Sequence, residues 1–281
     1  MKSFFLKTSA DTKSAGIKRT GKIIRTLCLL GAAAILAACA TSPTGRNQIL
    51  LFPDDQLDAM GQQAFTSMKE GLKISNRSVE NDLVQCIARE ITQHVPQSVF
   101  AGEWEVVVFD DPQVNAFALP GGKIGVYTGL LNVAKDQHQI ASVIGHEVGH
   151  VIAKHGNERM SNAQVASGLQ QAAGQILAAN EVAQSQAIMQ VLGVGSQFGI
   201  LKYSRTHESE ADVIGLDLMA KAGFNPRGAV ALWENMAAQG GERPPEFMST
   251  HPAESTRIDN LNSNMAAASK IYQSAPKANC R

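Results

Sequence analysis

The chain has 281 residues, 44% of them hydrophobic, with 25 basic and 25 acidic side chains. That length suits one sizeable globular domain with accessory helices, and the neutral balance excludes the basic profile expected of a nucleic-acid partner. The balance hides an asymmetry, because seven basic residues and one acidic residue, Asp11, precede Cys39. Without residues 1–38 the chain keeps 18 basic and 24 acidic residues, a formal charge of −6, which points further from nucleic acid.

Taken in chain order, the basic N-terminus and the apolar run Leu27 to Ala38 read as an export signal with a long basic region. The run is too short for a spanning helix, which needs about 20 apolar residues. Leu36-Ala37-Ala38-Cys39 resembles the lipobox of bacterial lipoproteins, in which the cysteine becomes the lipidated first residue of the mature chain. In such lipoproteins a residue other than Asp after the cysteine implies transfer to the outer membrane, and here it is Ala40. The expectation is a signal peptide over 1–38, a lipid on Cys39, and a protein held on the outer membrane facing the periplasm. With Cys28 removed and Cys39 lipidated, Cys86 and Cys280 remain as one pair in an oxidising compartment, so a disulfide between them is expected.

Residues 39–52 form a leader with a turn at Pro43 to Gly45, and residues 53–281 form the domain proper. Helices are predicted from Asp54 to Gly71 and from Val79 to Val95, broken by Asn76 and Pro96. Strands follow at Trp104 to Phe109, Val114 to Leu119 and Lys123 to Thr128, with turns at Asp110 to Pro112 and Pro120-Gly121-Gly122. From Gln137 to His155 the apolar residues Ile140, Val143, Ile144, Val148, Val151 and Ile152 give a helical stripe, which Gly156 is expected to end. Glu181 is the single charged residue of 161–201, a helical insertion read as a lid, a membrane-facing element or a packed hairpin, too rich in glutamine to cross a membrane. Helices are predicted again at Tyr203 to Lys221, Asn225 to Gln239 and Ala253 to Ala268.

The helix 137–155 carries His146-Glu147-Val148-Gly149-His150, an HExxH sequence. Histidines four apart lie within roughly 40° of one another on a helix, so both imidazoles can reach one ion. Such an ion activates a water, and Glu147 is placed to take its proton. His155, about 140° round the same helix from His150, is poorly placed for that ion. A catalytic zinc takes three protein ligands, so a third is sought downstream. Glu208 is the better candidate and His207 the rival; Asp212, four residues after Glu208, can orient a ligand histidine while Glu210 points elsewhere. His94 and His138 have no evident partner.

HExxH followed by E-x-x-A-D resembles the zinc metallopeptidases that include HtpX and the CaaX prenyl proteases, metallopeptidase family 48. Asn115 to Gly122, Val126 to Leu131, Tyr203-Ser204-Arg205 and Thr250-His251-Pro252 with Arg257-Ile258 extend the likeness to its periplasmic and mitochondrial-type members. The resemblance implies an α+β, mainly α fold of gluzincin type, with a small sheet beside the HExxH helix. It implies one zinc ion per chain on His146, His150 and Glu208, with Glu147 as base and Asp212 orienting a ligand histidine. Asn115, Ala116, Phe117, Ala118 and Leu119 would be the edge strand on which an extended substrate pairs, or else a structural hairpin. His251 would be a self-inhibiting fourth ligand, a donor to the tetrahedral intermediate, or a helix cap; Arg257 an oxyanion contact or a structural ion pair. The implied substrates are misfolded or misassembled envelope proteins, with envelope assembly machinery as a partner. The rival is a chaperone-like lipoprotein whose zinc stays closed.

Overall fold

The computed structural model describes residues 39–179, 203–238, 247, 251 and 255–280. The expected signal peptide, the later part of the 161–201 insertion and the proline after His251 lie outside them. The described chain is mainly helical with two small sheets, and the larger sheet sits beside the HExxH helix.

The leader is a hairpin of β1 (Cys39–Thr41) and β2 (Asn47–Ile49), turning where Pro43 and Gly45 predict, with Gly45 at φ 91°. It is docked onto the body: Leu51 N–H donates to Ser161 Oγ at 2.8 Å, and Asn157 Nδ2 donates to Phe52 O at 2.7 Å. Helix α1 (Asp54–Gly71) starts after Pro53 with two aspartates in its first turn, which complement the helix dipole. Helix α2 (Ser78–Thr92) buries Val84, Ile87, Ala88 and Ile91 on the face that the 3.6-residue period puts together.

Strands β3 (Glu105–Phe109), β4 (Ala116–Leu119) and β5 (Lys123–Tyr127) form a sheet in the order β3-β5-β4. Strand β5, buried throughout, runs parallel to β3 and antiparallel to β4. Gly121 and Gly122, at φ 78° and 69°, make the tight β4–β5 turn. The parallel β3–β5 pairing leaves β4 as an edge strand, packed against the HExxH helix. Thr128, read as strand, instead opens a short helix, α3 (Thr128–Val133).

Helix α4 (Gln137–Ile152) is the core of the molecule, buried without a break from Gln139 to His150. Asp136 caps it, accepting from the N–H groups of His138 and Gln139 at 2.9 Å each. Gly156 does not end this helix. The break comes earlier, at Lys154, which takes φ 54° while its N–H donates to Val151 O and its ammonium reaches Asp54 at the start of α1. Lys154 thus fills the left-handed position that glycine usually takes after a helix, and Gly156 falls in the first turn of α5 (His155–Ala179).

Helices α6 (Arg205–Lys221), α7 (Arg227–Ala238) and α8 (Ser255–Ser274) complete the body, and both α6 and α7 pack on α4. Among the described residues no helix is long and apolar enough to cross a membrane. Cys280, in the tail after α8, forms a disulfide with Cys86 of α2, with Cα atoms 5.7 Å apart.

Candidate metal centre

Three glycines set the distance between α4 and α6. A Cβ on Gly145 would lie 2.9 Å from Gly215 O, one on Gly149 2.9 Å from Ala211 O, and one on Gly215 2.7 Å from His146 N. All three neighbours are backbone and cannot give way, so the helices touch main chain to main chain. The pairings 145 with 215 and 149 with 211 run in opposite directions, so the helices are antiparallel. His146 and His150 therefore face Asp212 and Glu208.

Four buried donors converge there: His146 Nε2, His150 Nε2, a Glu208 carboxylate oxygen and His251 Nδ1. His146 Nε2 lies 3.1 Å from His150 Nε2, 3.3 Å from His251 Nδ1 and 3.4 Å from Glu208 Oε2. Glu208 Oε1 lies 3.1 Å from His251 Nδ1 and 3.5 Å from His150 Nε2. A tetrahedral ion with bonds of about 2.0–2.1 Å requires donor–donor edges of roughly 3.3–3.4 Å; these distances, shared between the two Glu208 oxygens, run from 3.1 to 3.5 Å. The donor set fits a metal ion. Three imidazole nitrogens and a carboxylate also point lone pairs at one spot, and protons cannot satisfy every contact at once.

The far nitrogens of the ligands are held as well. His146 Nδ1 is 2.9 Å from Asp212 Oδ1, and Asp212 accepts from Arg257 Nε at 2.8 Å and Nη2 at 2.5 Å. Arg257 Nη1 sits 2.8 Å from Glu208 Oε2 but off the hydrogen-bond direction, so that contact is electrostatic. Burial and Arg257 push the His146 pKa down, but its bonds to Asp212 and Glu208 outweigh them and bring it up to about 9. Burial raises the Glu208 carboxyl, yet bonds from His146 and His251 hold it far below the usual carboxylate range. Burial, with His146 and His251 nearby, depresses His150 strongly.

Glu147 lies beside the cluster, and burial raises its pKa against the pull of His251, His146 and the Ala118 backbone N–H. Its Oε1 is 3.3 Å from His251 Nε2 but outside hydrogen-bond geometry, so this buried oxygen has no donor. A polar atom buried without a partner costs on the order of 1–3 kcal/mol, which a water or substrate group would offset.

His251 reaches the cluster with its N–H bonded to Phe247 O at 2.8 Å. Phe247 is itself pinned beside β4 by its N–H on Val114 O at 3.0 Å. Phe247 stacks on the His251 ring at 4.6 Å. Arg257 stands on the two carboxylates, its guanidinium over Trp233 at 4.3 Å. Of the expected substrate strand, Asn115 O accepts from Tyr127 N–H, and Phe117 packs among Phe65, Phe109 and Tyr127. Ala118 and Leu119 line a cleft of about 370 Å³ that Leu57, Asp58, His150 and Tyr203 also border.

His207 is not in the cluster; its Nε2 is 3.1 Å from Glu158 Oε2, and its Nδ1 helps cap α6. His155, set aside on helical phase, contacts His150 directly, Nδ1 to Nδ1, at 2.8 Å. The left-handed Lys154 resets the phase on which that exclusion rested. Glu210 faces His155 Nε2 at 3.1 Å, and His138 Nδ1 accepts from Asn225 N–H at 3.1 Å. Tyr203 had no site role in the sequence reading; it stacks on His150 at 3.9 Å, under the Arg159 guanidinium.

Residues 76–265 match the model of peptidase family M48. The mitochondrial metalloendopeptidase OMA1 of Saccharomyces cerevisiae is 34% identical over 221 residues, 75% of this chain and 61% of that protein. The corresponding protein of Arabidopsis thaliana is 42% identical over 150 residues, 53% and 29% of the two chains. The beta-barrel assembly-enhancing protease of Escherichia coli is 32% identical over 158 residues, 54% and 32%. The chain thus spans less than two thirds of the length of each of these relatives.

Proposed function

The chain belongs to peptidase family M48, and on that premise we propose that it is a zinc-dependent endopeptidase of the bacterial envelope. The observation that carries this is the buried four-donor set beside an unbonded Glu147 Oε1. Histidine and carboxylate donors at tetrahedral spacing suit zinc. When bound, zinc supplies Lewis acidity to the scissile carbonyl and makes a nearby water acidic. His146, His150 and Glu208 hold the ion, and Asp212 fixes the tautomer of His146. Glu147 Oε1 takes the proton of the attacking water and passes it to the leaving amine. The β4 edge offers main-chain hydrogen bonds to an extended polypeptide in the adjoining cleft, which favours unfolded chains over a side-chain sequence.

Misfolded or misassembled envelope proteins are the proposed substrates. The export signal, the lipobox ending at Cys39 and the Cys86–Cys280 disulfide support an outer-membrane lipoprotein facing the periplasm. Similarity to a protein named for enhancing β-barrel assembly supports a link to the assembly machinery. The test is cleavage of casein by purified protein beside Glu147→Gln, which should lose roughly 10²–10⁴-fold in rate while keeping its metal. Equal inactivity of both would exclude the peptidase.

His251 favours a second reading. Catalytic zinc sites keep one position open, whereas closed four-ligand sites are structural; His251 Nδ1 stands in the fourth position. A protein resting in that state would bind unfolded chains and cleave them rarely. Suppression of casein aggregation without cleavage, by both wild type and Glu147→Gln, would favour it.

A further inference from the structure

We propose that the N-terminal hairpin is a working part of the metal centre, with Arg46 and Thr44 as positioning residues that act on His150 through Glu210 and His155. This rests on the metal-binding reading above and adds to it a control on one ligand's tautomer.

His150 presents Nε2 to the donor cluster, so its proton must sit on Nδ1. That Nδ1–H donates to His155 Nδ1 at 2.8 Å. His155 must then carry its own proton on Nε2, which donates to Glu210 Oε2 at 3.1 Å. The direction of the whole relay is set at its far end by a group that only accepts. Glu210 is kept in that role by the hairpin: Thr44 Oγ1 donates to Oε1 at 2.6 Å and Arg46 Nε to Oε2 at 3.1 Å. The rest of the Arg46 fork grips Glu158 on α5, Nη1 and Nη2 each at 2.6 Å from one carboxylate oxygen. Arg46 therefore ties α5, which carries His155, to α6, which carries both Glu210 and Glu208.

Mere docking does not require this arrangement. A partly buried ion-pair network costs desolvation and adds little net stability over an apolar contact of the same size; what it adds is direction. Here the imidazoles donate outward, His150 to His155 to Glu210, while Thr44 and Arg46 of the hairpin donate inward to the same carboxylate, which is left with only an acceptor's role. Reversing the relay, with an N–H where Glu210 has an oxygen, would put the His150 proton on Nε2, against the ion.

The experiment uses the full-length protein with Glu210→Gln, Arg46→Ala and Arg46→Lys, and Lys73→Ala as a control that breaks an exposed pair with Asp110. Zinc affinity is measured by competition with a chromophoric chelator, ligand geometry by the visible bands of the Co²⁺-substituted protein, and folding by the thermal midpoint of the metal-free form. Glu210→Gln should bind zinc roughly 10–100-fold more weakly and Arg46→Ala about tenfold, both with altered Co²⁺ bands. Arg46→Lys, a cation without the fork, should fall between Arg46→Ala and wild type, and Lys73→Ala should match wild type. Wild-type affinity and Co²⁺ bands in Glu210→Gln and in whichever Arg46 variants fold would overturn the proposal. Failure of the wild type itself to bind zinc or Co²⁺ would instead overturn the metal-centre reading beneath it.

Discussion

At the scale of residues, each metal-facing nitrogen depends on what holds the other side of its ring. His146 is served by Asp212, and that pairing was legible, since both residues lie in short motifs with helical spacing. His150 is served by His155, which was not legible. The exclusion of His155 assumed an unbroken helix, and a single lysine in the left-handed region invalidated it. Glu208 over His207 followed from spacing because both candidates lay on one turn of α6 and only one could share a face with Asp212. His251 offers a direct test. Replacing it by alanine removes the fourth donor, so proteolysis should rise by about tenfold while zinc affinity falls by a similar factor. Casein turnover and chelator competition on the same preparation check both, and an unchanged rate removes His251 from the site.

At the scale of elements, the chemistry depends on how closely α4 and α6 approach. Gly215→Ala should press a methyl into the His146 backbone and cost about 1–3 kcal/mol, read as a lowered thermal midpoint of the metal-free protein and weakened zinc binding. Gly168→Ala, where a Cβ meets nothing within 4 Å, should leave both unchanged. Most elements were legible because apolar period and turn residues are local signals: α1 falls on its predicted bounds, and α2, α6 and α7 lie within a few residues of theirs. Strand order was not. Turn signals connect neighbours along the chain, whereas β3 passes over β4 to pair in parallel with β5, a choice made by tertiary burial. The six residues of α3 are too few to show a period.

At the scale of the whole molecule, two long-range ties hold the N-terminal hairpin and the tail after α8 to the core. The disulfide closes a loop over a sequence separation of 194 residues. Cys86→Ser with Cys280→Ser should lose roughly 2–5 kcal/mol, measured by denaturant unfolding, with metal binding retained in the folded fraction. The second tie is ionic and sensitive to acid. Burial raises the Glu158 carboxyl, but Arg46 and His207 outweigh it and hold it below its ordinary value of 4.5. A carboxyl depressed by folding contributes stability above pH 4.5 that is lost as pH falls through its folded value. The thermal midpoint of chelator-treated protein should therefore drop below about pH 4.5, with a shallower slope in Arg46→Lys. Neither the hairpin's partners nor their ionic character could be read from the sequence, since Arg46 and Glu210 stand 164 residues apart with no pattern joining them.

The position of that hairpin also governs reach. β1 begins at Cys39 and is paired from that residue on, Cys39 opposite Ile49, while Thr44 and Arg46 are bonded into the body. With the proposed lipid on Cys39, the tether has almost no slack, since even five fully extended residues span at most about 3.3–3.6 Å each. The cleft would then work at a fixed height above the leaflet, sampling chains by how far they protrude from the membrane before it reads anything about their sequence.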